Sequence, residues 1–166
     1  MDNYVRRKPN RCSSWNYSSN GSYFITVCTE NKRCVLGKTV VGDGVLDVPK
    51  VFLSEYGEIC FKQIEEMQAV YDDIKTDKFI IMPNHIHFII TIKNDYGTSR
   101  TPSPTNAKIP GYISTFKRFT NKKIGFDIWE RSYYDRIIRS ENEYSEIWQY
   151  IDSNATKWQT DCFYYD

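Results

Sequence analysis

Histidine is scarce in this chain, with two among 166 residues, so any chemistry that needs imidazole must use that pair. Cysteine is present but unorganised. Cys12, Cys28, Cys34, Cys60 and Cys162 are odd in number and include no C-x-x-C pair, so neither a disulfide framework nor a cysteine zinc site is indicated, and a reducing, cytoplasmic compartment is expected. No apolar run approaches the ~18–20 residues of a membrane span. The start MDNYVRRKPN also lacks the apolar centre of a signal peptide, so a soluble protein with no membrane association is expected. Net charge is nearly absent. Twenty-two basic against 21 acidic residues leave +1, which argues against gripping nucleic acid through an overall excess of positive charge. There is no G-x-x-x-x-G-K-[ST] loop, the signature of nucleotide hydrolysis.

What is present suits a folded protein. Apolar residues make up 40% of the sequence and aromatics 16%, which excludes the disordered class. The length fits one domain spanning 1–166. Charge is also unevenly spread. Arg6, Arg7, Lys8 and Arg11 stand against Asp2 in a basic N-terminal arm (1–21), and Lys117, Arg118, Lys122 and Lys123 form a second cluster. Either could be no more than a solvated face; together they become candidate nucleic-acid contacts only if a nucleic-acid site lies between them.

Periodicity gives the elements. SYFITVCT (22–29) is dense in β-branched and aromatic residues and reads as a strand. Gly42 and Gly44 suggest a turn between short extended pieces. From about Leu53 to Tyr71, apolar residues recur at three- and four-residue steps, as in an amphipathic helix. KFIIM (78–82) and HIHFIITI (85–92) read as two strands around Pro83-Asn84, or as one strand with a break there. The stretch 94–110, rich in Gly, Ser and Pro, reads as a mobile loop. A second helix is expected over Gly111 to Lys123 with Ile113, Phe116 and Thr120 inward, then a strand over Tyr133 to Arg139. The last helix starts at a capping box, Ser140-Glu141-Asn142-Glu143, and should run to about Asn154. This order predicts an α+β fold with helices packed on an antiparallel sheet.

The two histidines stand as His85-Ile86-His87. Side chains alternate along a strand, so both imidazoles point the same way while Ile86, Phe88, Ile90 and Ile92 form an apolar opposite face. Paired neutral imidazoles can hold Mg²⁺, Mn²⁺ or Zn²⁺ with a third ligand. An H-x-H alone is equally compatible with surface or satisfied core residues. Cupin-like sites want a downstream Glu, which HFIITIKND does not offer, and barrel metallohydrolases need upward of ~200 residues. On the last helix, at ~100° per residue, Tyr144, Ile147, Trp148 and Ile151 share a buried stripe. Tyr150 lies about 110° from its centre, and Asn154 follows one turn later. Most of the thirteen tyrosines must simply pack, and helical position alone does not single out Tyr150. Trp15, Tyr17 and Trp129 are candidates for stacking on bases or, more simply, for packing.

PNHIH within KFIIMPNHIHFII, followed by WERSYYDRIIRSENEYSEIWQYIDSNATKW, resembles the single-tyrosine HUH transposases of small bacterial insertion sequences. Within them it is most similar to the REP-associated tyrosine transposases, whose start also resembles RRKPNRCSSWNYSSNGSYFITVCTENKRCVLG here. The resemblance implies a ferredoxin-like (RRM-like) HUH endonuclease fold. It also implies a divalent metal ion (Mg²⁺ or Mn²⁺) on His85 and His87, Tyr150 as the residue that attacks DNA, and Asn154 completing the metal site. Many relatives carry Pro after the amide residue where this chain has Ala155. The implied activity is nicking and rejoining of single-stranded or hairpin DNA through a covalent 5′-phosphotyrosine. A homodimer stays open. Two other readings are a non-catalytic binder of structured nucleic acid on the same fold, and another HUH nickase such as a relaxase or rolling-circle initiator. The latter usually adds a third histidine or further domains.

Overall fold

The computed structural model describes residues 15–40, 49–93, 107–162 and 164. Its centre is a four-stranded antiparallel sheet in the order β4-β5-β1-β6, formed by β1 (Gly21–Cys28), β4 (Ile74–Ile81), β5 (His85–Ile92) and β6 (Tyr134–Ile138). A two-stranded ribbon of β2 (Gly37–Val40) and β3 (Lys50–Leu53) stands beside it. Helix α1 (Glu55–Val70) links β1 and its ribbon to β4, α2 (Lys108–Ile124) links β5 to β6, and α3 (Glu141–Ser153) follows β6. Without the ribbon and α3, this is the β-α-β-β-α-β order of a ferredoxin-like fold. The expected α+β architecture is therefore the observed one.

The alternation of β5 sorts the molecule into two layers. Ile86, Phe88, Ile90 and Ile92 join Tyr23, Ile25 and Val27 of β1 in the main core beneath α1 and α2. Cys60, Ile64 and Met67 come from α1, and Ile113 and Phe116 from α2; each large side chain removed from water there contributes roughly 1.5–3 kcal/mol. On the other face, Ile89 meets Ile147 and Ile151 of α3, with Phe24, Tyr144, Trp148 and Tyr150 around them. An ion pair from Lys78 to Asp152 (2.5 Å) also ties α3 to β4. His85 and His87, in register with Ile89, consequently lie under α3 and away from α1 and α2.

Helix ends follow local chemistry. Ser54 caps α1 by accepting from Gly57 N (3.2 Å) and donates to Val35 O (2.6 Å). A Cβ at Gly57 would stand 2.1 Å from Leu36 O, so only glycine lets the helix approach the chain leading into β2 this closely. Gly125 (φ 95°) closes α2 in the left-handed conformation. Ser140 caps α3 through Glu143 N (3.2 Å), while the Glu143 carboxylate reaches one residue further back than expected, to Arg139 N (2.8 Å).

Some boundaries differ from the sequence reading. Pro83-Asn84 is a tight hairpin turn between two strands, closed by Met82 N to His85 O (2.8 Å). β4 begins at Ile74 rather than Lys78, because a register shift between Thr76 and Lys78 breaks the alternation that would have revealed its first half. α2 begins at Lys108, with Pro110 in its first turn, where no intrahelical N–H donor is required. Loop 94–110 thus ends sooner than its proline content suggests, and 94–106 lie outside the described residues. From the predicted arm 1–21, residues 15–20 pack on the sheet: Tyr17 is buried and Trp15 donates to Tyr23 Oη (3.2 Å). Arg6, Arg7, Lys8, Arg11, Gly42 and Gly44 lie outside the described residues.

Candidate metal and tyrosine site

Each imidazole is held at Nδ1 by a neighbour. The Asn84 side chain donates from Nδ2 to Lys32 O (3.1 Å), which turns its Oδ1 toward His85 Nδ1 at 2.8 Å. His85 Nδ1 therefore carries the hydrogen. Thr26 of β1, the cross-strand partner of His87, puts its hydroxyl oxygen 2.8 Å from His87 Nδ1 and can accept in the same way. The two Nε2 atoms lie 3.0 Å apart; with both rings in the Nδ1–H tautomer, which a bound cation would select, they would present two lone pairs to one point. Two such acceptors are satisfied together by a cation. Both rings are fully buried, and burial lowers their pKa values, His85 to about 3 and His87 well below its usual range, so both are neutral at pH 7.

Tyr150 joins them from α3. With Ile147 and Ile151 on Ile89, the helix presents Tyr150 from its flank, edge-on to Phe24 (ring centroids 6.0 Å apart) and beside His87 (5.3 Å). Its hydroxyl lies 3.3 Å from His87 Nε2 and donates to Asp161 Oδ2 at 3.1 Å. Burial raises the phenol pKa, and the Asp161 charge raises it further. Asn154, one turn on, is buried and donates from Nδ2 to the same Asp161 oxygen (3.0 Å), while its buried Oδ1 has no hydrogen-bond partner among the described residues. An unpaired buried acceptor is costly unless something binds it, and an amide oxygen is a good ligand for a hard cation.

Asp161 is the residue the sequence reading missed. His85, His87 and Asp161 each offer a ligand atom within 4.8 Å of the other two. The carboxylate follows a short 3-10 turn, Trp158–Thr160, that folds the tail over the site; Trp158 stacks near His85 (5.9 Å) and Tyr164 packs on Trp158 (5.3 Å). No periodicity marks a ligand seven residues beyond Asn154, so only the return of the tail reveals it. The donor set of two imidazoles, one carboxylate and one amide oxygen fits a divalent cation.

Not every candidate gathers here. Lys117, Arg118, Lys122 and Lys123 lie on α2, across the sheet from the imidazoles. Lys117 donates to Glu130 O (2.8 Å) and Ser132 O (2.7 Å), and Lys123 pairs with Glu66 (2.7 Å). Trp129 and Tyr17 pack in the core, Trp129 donating to Thr120 Oγ1 (2.8 Å) and Tyr17 to Asp135 Oδ2 (2.6 Å). Trp15 keeps a more exposed ring.

The chain is 32% identical over 178 residues to an uncharacterized protein of Haemophilus influenzae, covering 96% of this chain and 94% of that one. No family model matches it. Its fold superposes with a TM-score of 0.63 on a REP-associated tyrosine transposase bound to a REP hairpin, at 17% identity over 89% of this chain and 74% of the other. The likeness read in the motifs is thus borne out in the fold.

Proposed function

We propose, for a chain that belongs to one family with the Haemophilus influenzae protein and has the fold of a tyrosine transposase, that it is a transposase cutting and rejoining single-stranded DNA with Tyr150 as nucleophile. The observation that carries this reading is the meeting of one phenol with two neutral imidazoles: Tyr150 Oη stands 3.3 Å from His87 Nε2, itself 3.0 Å from His85 Nε2. A purely structural tyrosine would not need a ligand-ready histidine pair at its oxygen.

His85, His87, Asn154 and Asp161 would hold Mg²⁺ or Mn²⁺, and that ion when bound draws charge from a phosphate oxygen. The protein's own groups do the rest. Asp161 Oδ2 accepts the Tyr150 hydroxyl hydrogen and lies where the phenol proton would leave. As that proton departs, Tyr150 Oη bonds to phosphorus and the bond to the 3′ oxygen breaks, giving a 5′-phosphotyrosyl ester and, after proton uptake, a 3′-OH. Attack by another 3′-OH reverses the exchange with no nucleotide consumed. The DNA is taken to be hairpin or palindromic repeat DNA, since the structural neighbour was bound to a REP hairpin. Arg6, Arg7, Lys8 and Arg11 of the arm and Arg118 and Lys122 of α2 are the proposed phosphate contacts.

The experiment is covalent capture. Wild-type protein with Mn²⁺ and single-stranded oligonucleotides, labelled on the 3′ side and carrying hairpins, should give a protein–DNA adduct. Tyr150→Phe should bind the same DNA with unchanged affinity and give none. An adduct that survives in Tyr150→Phe moves the nucleophile elsewhere, and its absence from wild type removes the nicking reading.

A further inference from the structure

The connection after β1 adopts a conformation that side chains other than glycine rarely take, and it does so at two successive residues. Asn31 (φ 56°, ψ 25°) and Lys32 (φ 56°) both lie in the left-handed region. Asparagine tolerates that region, whereas lysine gains nothing from it, so the surroundings must impose it. They are dense. Lys32 N donates to Thr29 O (3.1 Å), Asn84 Nδ2 donates to Lys32 O (3.1 Å), Thr29 N donates to Asn84 O (2.9 Å), and the Thr29 hydroxyl donates to Arg33 O (2.8 Å) with Asn84 O near by (3.0 Å). The same Asn84 orients His85. One buried side chain therefore holds both a metal-ligand candidate and the turn that carries a cation.

That turn brings the lysine back over the end of β1. Lys32 Nζ lies 3.5 Å from Cys28 Sγ, and Cys28 is the cross-strand partner of His85. The Tyr134 ring also lies against Lys32, 5.8 Å from centroid to Nζ. A turn with a constrained backbone thus sets the Lys32 ammonium beside Cys28, the cross-strand neighbour of His85.

We propose that Lys32 is a further binding residue of this site, donating from Nζ to an anionic non-bridging oxygen of the scissile phosphodiester. That the phosphodiester is the scissile one rests on the nicking reading, while the anion site itself stands on the geometry. A phosphodiester entering beside Asp161 meets a carboxylate that repels it, and a charge-assisted hydrogen bond from Lys32 would offset this repulsion.

The test compares wild type, Lys32→Ala and Lys32→Arg as full chains in Mg²⁺, with the dinucleotide TpT as probe and phosphorus NMR as readout, beside its uncharged methylphosphonate analogue. Lys32→Ala should weaken TpT binding about tenfold or more and Lys32→Arg should retain most of it, with the melting temperature unchanged in both. Binding of the methylphosphonate should not distinguish the three proteins. Equal TpT affinity in wild type and Lys32→Ala, or no TpT binding by wild type, overturns the proposal. Adduct capture separates the two ideas: an adduct with lysine-independent TpT binding sinks only the Lys32 site, and lysine-dependent TpT binding without an adduct sinks only the nicking reading.

Discussion

A phenol is a weak nucleophile at its ordinary pKa of ~10, and Tyr150 starts from a worse position, because burial and the Asp161 carboxylate push its pKa upward. The arrangement makes sense if a cation reverses the sign of the local field. Asp161→Asn should lower the phenol pKa of the metal-free protein, read by ultraviolet titration, and weaken Mn²⁺ affinity by at least about tenfold; unchanged Mn²⁺ affinity would remove Asp161 from the ligand set. The histidines make a second prediction, on stability. In the unfolded chain they titrate near the ordinary ~6.5, whereas in the metal-free fold burial holds His85 at about 3 and His87 lower still. Below the ordinary value the unfolded state binds more protons, so stability that is full above it is lost as pH falls toward the folded values. Each ring contributes a slope of about 1.4 kcal/mol per pH unit. The metal-free melting temperature should therefore fall more steeply between pH 7 and pH 5 in wild type than in the double variant His85→Gln, His87→Gln. Parallel curves would contradict buried neutral imidazoles.

At the scale of elements, the site depends on how strands and helices end. The hairpin at Pro83-Asn84 starts β5 on His85, so the imidazole pair lies at a strand terminus that the tail carrying Asp161 can reach. The chain before β2 matters too: Leu36 N donates to Pro83 O (2.9 Å), and Leu36 O accepts from Ser54 N (2.9 Å) at the start of α1. Gly57 is what allows that approach. Gly57→Ala would ordinarily favour a helix by roughly 0.8–1 kcal/mol, but its methyl would meet a backbone carbonyl at 2.1 Å. A net loss of about 1–2 kcal/mol is expected from the overlap, lowering the melting temperature by roughly 2–4 °C per kcal/mol. A more stable variant in thermal unfolding would mean the helix can withdraw without cost.

At the scale of the whole molecule, the sheet separates two kinds of surface. The side under α3 carries the imidazoles and Tyr150, and the side under α1 and α2 carries the larger core, with basic residues of α2 on its outer surface. Cations there can add affinity for a wrapped nucleic acid without touching the reacting atoms. Arg118→Ala with Lys122→Ala should weaken DNA binding and reduce its salt dependence, by about one unit of slope for each phosphate that is no longer neutralised. The first-order rate of adduct formation from bound DNA should not change. A lower rate at saturating DNA would place α2 closer to the chemistry than the fold allows, and unchanged affinity would take it out of the interface.

The sequence by itself determined what depends on local period and local chemistry. Alternation along HIHFIITI put both imidazoles on one face, the Ser140 capping signal began α3 at Glu141, and helical spacing placed Asn154 one turn from Tyr150. It could not determine what depends on the return of distant chain. A register shift at the start of β4 hid half a strand, and α2 began inside a segment whose prolines suggested loop. Asp161 became a ligand candidate only when the tail after α3 folded back, and Lys32 neared His85 only because Asn84, fifty-two positions away, tethers its turn. Periodicity reports which way a side chain faces within its own element, whereas closing a site requires contacts between residues far apart in the chain, and these are chosen by packing of the whole sheet.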